Sequence, residues 1–155
     1  MTTIVVGIED SFRAADAVAL VRDLAHATEP EILAVCAYPF DDHALCTLAV
    51  RDELCLEAEG ILDHLCEPLN EFAVRQLAVA DPDPARALLR AAEESDAWLI
   101  VVGSSRGEFT GRVRPGRTGA KLLESAPCAV ALAPQGYRMR PPLAACGKLL
   151  IDSAA

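Results

Sequence analysis

Residues 103–121 read GSSRGEFTGRVRPGRTGAK. They hold Arg106, Arg112, Arg114, Arg117 and Lys121 against one acid, Glu108, a net +4 in a chain of formal net charge −9. Guanidinium groups take phosphates and carboxylates in a bidentate fork. Interspersed glycines either adopt positive φ or let a ligand come close to the backbone. A helix opening near Thr118 adds the partial positive charge of its N-terminus. The segment reads either as an anion site or as a solvated basic loop that pairs with acidic helices or a second subunit.

Other constellations are weaker. Gly103-Ser104-Ser105-Arg106-Gly107 fits the G-x-S-x-G nucleophile elbow. That elbow needs a helix directly after it, and Gly111 and Pro115 interrupt one. It also needs a later His, and His26, His43 and His64 all lie upstream. Ser104 and Ser105 therefore read as phosphate donors or loop caps, and no catalytic residue is assigned. Glu9 and Asp10 either contact a ribose, an adenine or a water-held Mg²⁺, or cap the first helix together with Ser11. The six cysteines at 36, 46, 55, 66, 128 and 146 include no C-x2-C pair. They read as reduced, mostly buried thiols rather than zinc ligands. Asp41-Asp42-His43 reads as a solvated loop, and no metal site is expected.

Five strand-like segments must place these groups, the first of them, TIVVGI, rich in β-branched residues. Thr3–Ile8, Ile32–Tyr38, Phe72–Ala78, Ala97–Val102 and Cys128–Ala133 are the strand candidates. Helical spacing lies between them. Phe12–His26 ends at Glu29-Pro30, and Cys46–Cys66 carries the stripe Val50, Leu54, Ala58, Ile61, Leu65. Pro84–Glu94 starts at a proline with Asp83 as its cap, and a short helix spans about Thr118–Ser125. Continuous apolar strands alternating with helices indicate a parallel sheet covered on both faces. Gly136-Tyr-Arg-Met-Arg-Pro-Pro reads as an exposed linker. Residues 147–155, GKLLIDSAA, resemble the opening IVVGIEDS and either start a second copy or form a tail.

The 155 residues fit one domain with a real core, and 52% hydrophobic content rules out global disorder. No apolar run is long enough to span a bilayer, and MTTIVVGIED lacks a basic n-region. The acidic balance argues against a nucleic-acid partner. A cytoplasmic location is expected.

IVVGIEDS, EILAVCAY, DPDPARALLRAAEESDAWLIVVGSS, the loop closing at Arg-Pro-Gly116 and KLLESAPCAVALAP together resemble the universal stress protein family, over roughly residues 3–137. The resemblance implies an α/β, Rossmann-like (adenine nucleotide alpha hydrolase-like) five-stranded parallel sheet with helices on both faces. It implies a domain over 1–137, with 138–155 as linker and tail. It implies a homodimer through the fifth strand and ATP or another adenine nucleotide, with Mg²⁺, bound after the fourth strand. The binding residues carried over are Gly7, Ile8, Glu9, Cys36, Val102, Gly103, Ser104, Arg106, Gly116, Arg117 and Thr118. The family motif is G-x2-G-x9-G-S/T. Its outer glycines match Gly103 and Gly116, but its middle glycine falls on Arg106 and its hydroxyl on Arg117. The alternative keeps the fold as a dimerisation or interaction module, with Arg106 and Arg117 closing the pocket.

Overall fold

Each apolar run becomes a strand. The structure, a computed structural model, describes residues 2–41, 47–105 and 111–140. β1 (Thr3–Ile8), β2 (Glu31–Tyr38), β3 (Val74–Ala80), β4 (Ala97–Gly103) and β5 (Ala129–Ala133) form one sheet in the order β3-β2-β1-β4-β5. All four pairings are parallel. The chain order reverses beside β1, between the halves β1-β2-β3 and β4-β5. An open α/β sheet places a ligand crevice at the carboxyl ends of the strands at that point.

Two apolar layers flank the sheet, as expected for strands buried on both faces. Ile4, Val6 and Ile8 of β1 point to one side with Ile32, Cys36 and Val101. There they meet α1 (Phe12–Thr28) through Ala17, Val18 and Val21, and α2 (Leu48–Cys66) through Ala58 and Leu62. Val5, Leu33, Val35, Ile100 and Val102 face the other way. They pack on α3 (Pro84–Glu94) through Ala85, Leu88, Ala91 and Ala92, and on Leu122 of α4 (Arg117–Ser125). Fully burying a Leu or Ile contributes about 1.5–3 kcal/mol, so these layers are the main source of cohesion.

The helix ends follow local chemistry. α1 stops where Glu29 turns left-handed at φ 45°, its N–H donating to the Ala25 carbonyl, just before Pro30. Asp83 caps α3 by accepting from Ala85 N at 3.2 Å, and Pro84 occupies the first helical position. Ser11 precedes α1 but makes no side-chain cap. Its hydroxyl donates instead to Glu9 Oε1 at 2.9 Å.

The structure differs from the sequence-based expectation at the third strand and after the fifth. The third strand starts at Val74 rather than Phe72. Phe72 is taken by the turn after the one-turn 3-10 helix Glu67–Leu69: its N–H donates to the Leu69 carbonyl and its ring meets His26 edge-on at 5.0 Å. Residues 136–140 are not a free linker. They form a strap whose one-turn 3-10 helix, Tyr137–Met139, docks on α1. Asp16, 2% exposed, accepts from Gly136 N at 2.9 Å, Arg138 N at 3.0 Å and the Arg138 guanidinium at 3.2 Å. Tyr137 donates its hydroxyl to Asp23 at 3.0 Å, and Arg138 lies 4.8 Å above the Phe12 ring. The repeat-like residues 147–155 lie outside the described residues.

One irregularity sits at the amino end of the sheet. Thr3 pairs with Ala97 but Ile4 pairs with Leu99, so the register slips and Trp98 stands 40% exposed.

Candidate functional site

A crevice of about 290 Å³ opens at the carboxyl ends of β1 and β4. Its floor is strand: Gly7, Ile8, Val35, Ala37, Val102 and Gly103. Its walls are the first turns of three helices: Arg13 and Ala14 of α1, Pro84 of α3, and Arg117, Thr118 and Gly119 of α4. Helix N-termini present N–H groups without intrahelical acceptors and a partial positive charge. α4 opens at Gly116, which has no side chain to cap it. α3 begins at Pro84, which has no N–H, and is capped by Asp83, so the uncapped first turns of α1 and α4 are what suit the cavity to an anion.

The glycines here have separate jobs. A Cβ on Gly7 would sit 2.9 Å from Val102 Cγ1 and 3.0 Å from Leu88 Cδ1, so the floor is open because residue 7 has none. A Cβ on Gly103 would collide with the Arg13 carbonyl and Cβ. Gly103 is therefore required by the close approach of α1 to the end of β4. At Gly116 a Cβ would stand 3.3 Å from Ser105 Cβ.

The loop between β4 and α4 is pinned at both edges. Ser104, 2% exposed, accepts from Arg114 N at 2.6 Å through its hydroxyl, which also lies 3.2 Å from the Arg114 carbonyl. Ser105 N donates to the same carbonyl at 2.7 Å. On the other side Gly111, at φ 83°, donates to the Gln135 carbonyl at 2.8 Å, and Gln135 N donates back to Arg112 at 3.2 Å. The loop is thereby tied to the strap that Asp16 holds.

Charge is unevenly committed. Arg13, in the first turn of α1, pairs at 2.9 Å with Glu9, which follows β1. Lys121 pairs with Asp83 at 2.8 Å, joining α4 to the cap of α3 and holding the Asp83 carboxyl below the usual carboxylate range. Beside them Arg86 grips the buried Asp81 through two nitrogens, at 2.9 and 2.6 Å, and lowers its pKa more than burial raises it. Arg117 has no ion pair among the described residues and stands exposed at the mouth.

Of the residues singled out from sequence, Gly7, Ile8, Glu9, Val102, Gly103, Gly116, Arg117 and Thr118 converge on this crevice. Ser104 is close but faces the loop, where it is a staple. Arg106 lies outside the described residues. Cys36 requires correction: it is buried in the α1–α2 layer on the other face of the sheet. Side chains alternate along a strand, and it is the neighbours Val35 and Ala37 that line the crevice. Burial, with the Glu9 charge acting the same way, pushes the Cys36 thiol up to about 11. Sequence reasoning missed Arg13 and Leu88, and named Ser105 only as a phosphate donor or loop cap. Arg13 had a signal, since it lies four residues past Glu9, in the first turn of the helix that follows β1. Leu88 had none, because its place depends on long-range packing. Among the described residues no three His, Cys, Asp or Glu groups gather to hold a metal, and Cys36, Cys55, Cys66 and Cys128 are free thiols.

A doubly wound parallel sheet with an anion-suited crevice at its switch point defines a Rossmann-like class. A family model described as the universal stress protein family matches residues 1–134. The chain belongs to the universal stress protein family. No match emerged among curated proteins. Among solved structures, the chain is similar to a universal stress protein from Archaeoglobus fulgidus, with TM-score 0.69 and 20% identity over 85% of this chain and 98% of the other. It is also similar to the Archaeoglobus fulgidus universal stress protein in complex with dAMP, with TM-score 0.67 and 19% identity over 85% and 97%. A universal stress protein in complex with cAMP gives TM-score 0.64 and 23% identity over 84% and 95%.

Proposed function

We propose that this chain is a regulatory protein that binds an adenine nucleotide, such as ATP, in the crevice between β1, β4 and the first turn of α4. The observation that carries this reading is the meeting of the uncapped N-termini of α1 and α4 over a floor opened by Gly7, with Arg117 uncommitted at the mouth. Two similar proteins are complexes with dAMP and cAMP, which supports an adenine ligand. Gly116, Arg117 and Thr118 would meet the phosphates, and the apolar floor at Val35, Ala37 and Val102 would take the base. Glu9 is the single carboxylate among the crevice residues, and Arg13 and Ser11 already engage it. Mg²⁺ therefore suits the crevice as a companion of the phosphates rather than as an ion held by protein ligands. The described lining offers no His, Cys or Lys to act as base or nucleophile, so binding with slow or no turnover is the reading.

Mass spectrometry of small molecules released from fresh protein, followed by ATP titration with and without Mg²⁺, tests this. A stoichiometric adenine nucleotide, or micromolar binding abolished by Gly116→Asp without loss of fold, is expected. An empty protein silent at millimolar ATP overturns it and favours the second reading, an interaction module whose mouth Arg117, with Arg106, closes. Arg117, standing where the family motif has a hydroxyl, is what favours the second reading.

A homodimer through β5 accompanies the proposal. β5 is a sheet edge with Ala129 exposed and Val130, Ala131 and Leu132 half-buried, and such an edge is a pairing surface. Light scattering that gives a monomer at tens of micromolar would remove it. The free thiols fit a reducing compartment, and we place the protein in the cytoplasm on that ground.

A further inference from the structure

Glu9 and Arg13 form an ion pair on the α1 wall of the crevice, and both side chains line it. A single oxygen, Glu9 Oε1, takes the Arg13 guanidinium and the Ser11 hydroxyl, each at 2.9 Å. The Arg13 backbone is fixed against Gly103, but its side chain is 41% exposed and that of Glu9 54%.

We propose that Arg13 is a ligand-binding cation held in reserve by Glu9. An anion entering the crevice takes the guanidinium over from the carboxylate. Glu9 positions Arg13 and does not touch the nucleoside. The inference rests on the nucleotide reading above and adds the phosphate contact on the α1 side.

Three physical points carry it. An ion pair between two solvated side chains contributes little, so opening it is easy. A phosphate carries more charge than a carboxylate and can fill the guanidinium fork with two oxygens. The site has a cation on two of its three walls, Arg13 on the first turn of α1 and Arg117 on the first turn of α4. A chain of phosphates can engage both, whereas a cyclic monophosphate offers a single negative charge. The preferred ligand is therefore an open-chain di- or triphosphate.

Calorimetric titration of ATP, cAMP and tripolyphosphate into the full chain at low salt tests this. Arg13→Gln should weaken ATP and tripolyphosphate about tenfold or more, the size of one charge-assisted hydrogen bond. Glu9→Gln should tighten both, roughly threefold, by releasing Arg13. In the Arg13→Gln background, Glu9→Gln should change nothing. Both side chains face solvent, and unchanged thermal melts confirm that the variants fold. Weaker ATP binding by Glu9→Gln with tripolyphosphate unaffected would overturn the proposal, because the acid would then contact the nucleoside. So would an Arg13→Gln variant that binds ATP like the unaltered chain, or cAMP binding as tightly as ATP. These results leave the nucleotide reading standing. Failure of the unaltered chain to bind either ATP or tripolyphosphate removes both.

Discussion

A methyl group on residue 103 would land on the carbonyl of Arg13, and the neighbour is backbone that cannot step aside. Gly103→Ala should cost about 2 kcal/mol, read as a lower denaturant midpoint. Gly116→Ala meets only the Ser105 side chain, its Cβ at 3.3 Å and its Oγ at 3.6 Å, and should fold normally. The two glycines that frame the loop in sequence therefore differ in kind, one structural and one open to a ligand. The thiols make a second residue-scale prediction. Burial pushes Cys36 and Cys66 each up to about 11. Iodoacetamide at pH 8 should leave both unmodified in the native protein and label both after unfolding, with mass spectrometry as the readout. Sequence legibility was mixed at this scale. Glu9, Gly116 and Arg117 could be placed by their distance from strand ends. Cys36 could not, because EILAVCAY is apolar on both faces and shows no alternation to say which way residue 36 points.

Elements meet the site through their ends. One of the ties of the loop before α4 is a hydroxyl, Ser104 Oγ, which is buried and bonded to Arg114 N at 2.6 Å. Ser104→Ala should cost about 1–3 kcal/mol by stranding that N–H and should weaken any ligand held at Gly116. A calorimetric melt and a titration read the two effects. The β3–α3 turn carries the acid sensitivity. Arg86 holds Asp81, 4% exposed, below the usual carboxylate range. A carboxyl with a depressed folded-state pKa contributes stability that is complete above its unfolded pKa, about 3.9, and lost as pH falls through the folded value. Stability should fall below about pH 4, and Asp81→Asn should flatten that limb while lowering stability at pH 7. Strand and helix positions were readable because their signals are local: apolar runs, Asp83-Pro84, Glu29-Pro30. The start of β3 was not, because Phe72 is apolar enough for a strand and only its packing on His26 places it in the turn.

The whole molecule is closed by its strap. Asp16 of α1 holds residues 120 and more positions away, and Gln135 ties the same segment to the site loop. Asp16→Ala should cost about 3 kcal/mol, since it leaves the Gly136 and Arg138 N–H groups without their acceptor. For a chain of this size that is roughly a 10 °C drop in Tm, measurable by calorimetry, with weaker ligand binding alongside. Composition could not announce the strap. The run from Gly136 to Pro142 looks like a linker, and Asp16, the acid that holds Gly136 and Arg138 against α1, gives no sign of this in the sequence.

The slipped register at Thr3 and Ile4 also leaves the chain's one tryptophan, Trp98, at the amino end of β4. The crevice lies at the other end, about 17 Å along the strand at 3.3 Å per residue. Native fluorescence of this protein is thus an optical signal of sheet integrity, blind to what occupies the crevice. Emission that shifts on unfolding yet stays constant through a nucleotide titration is the spectrum this geometry dictates.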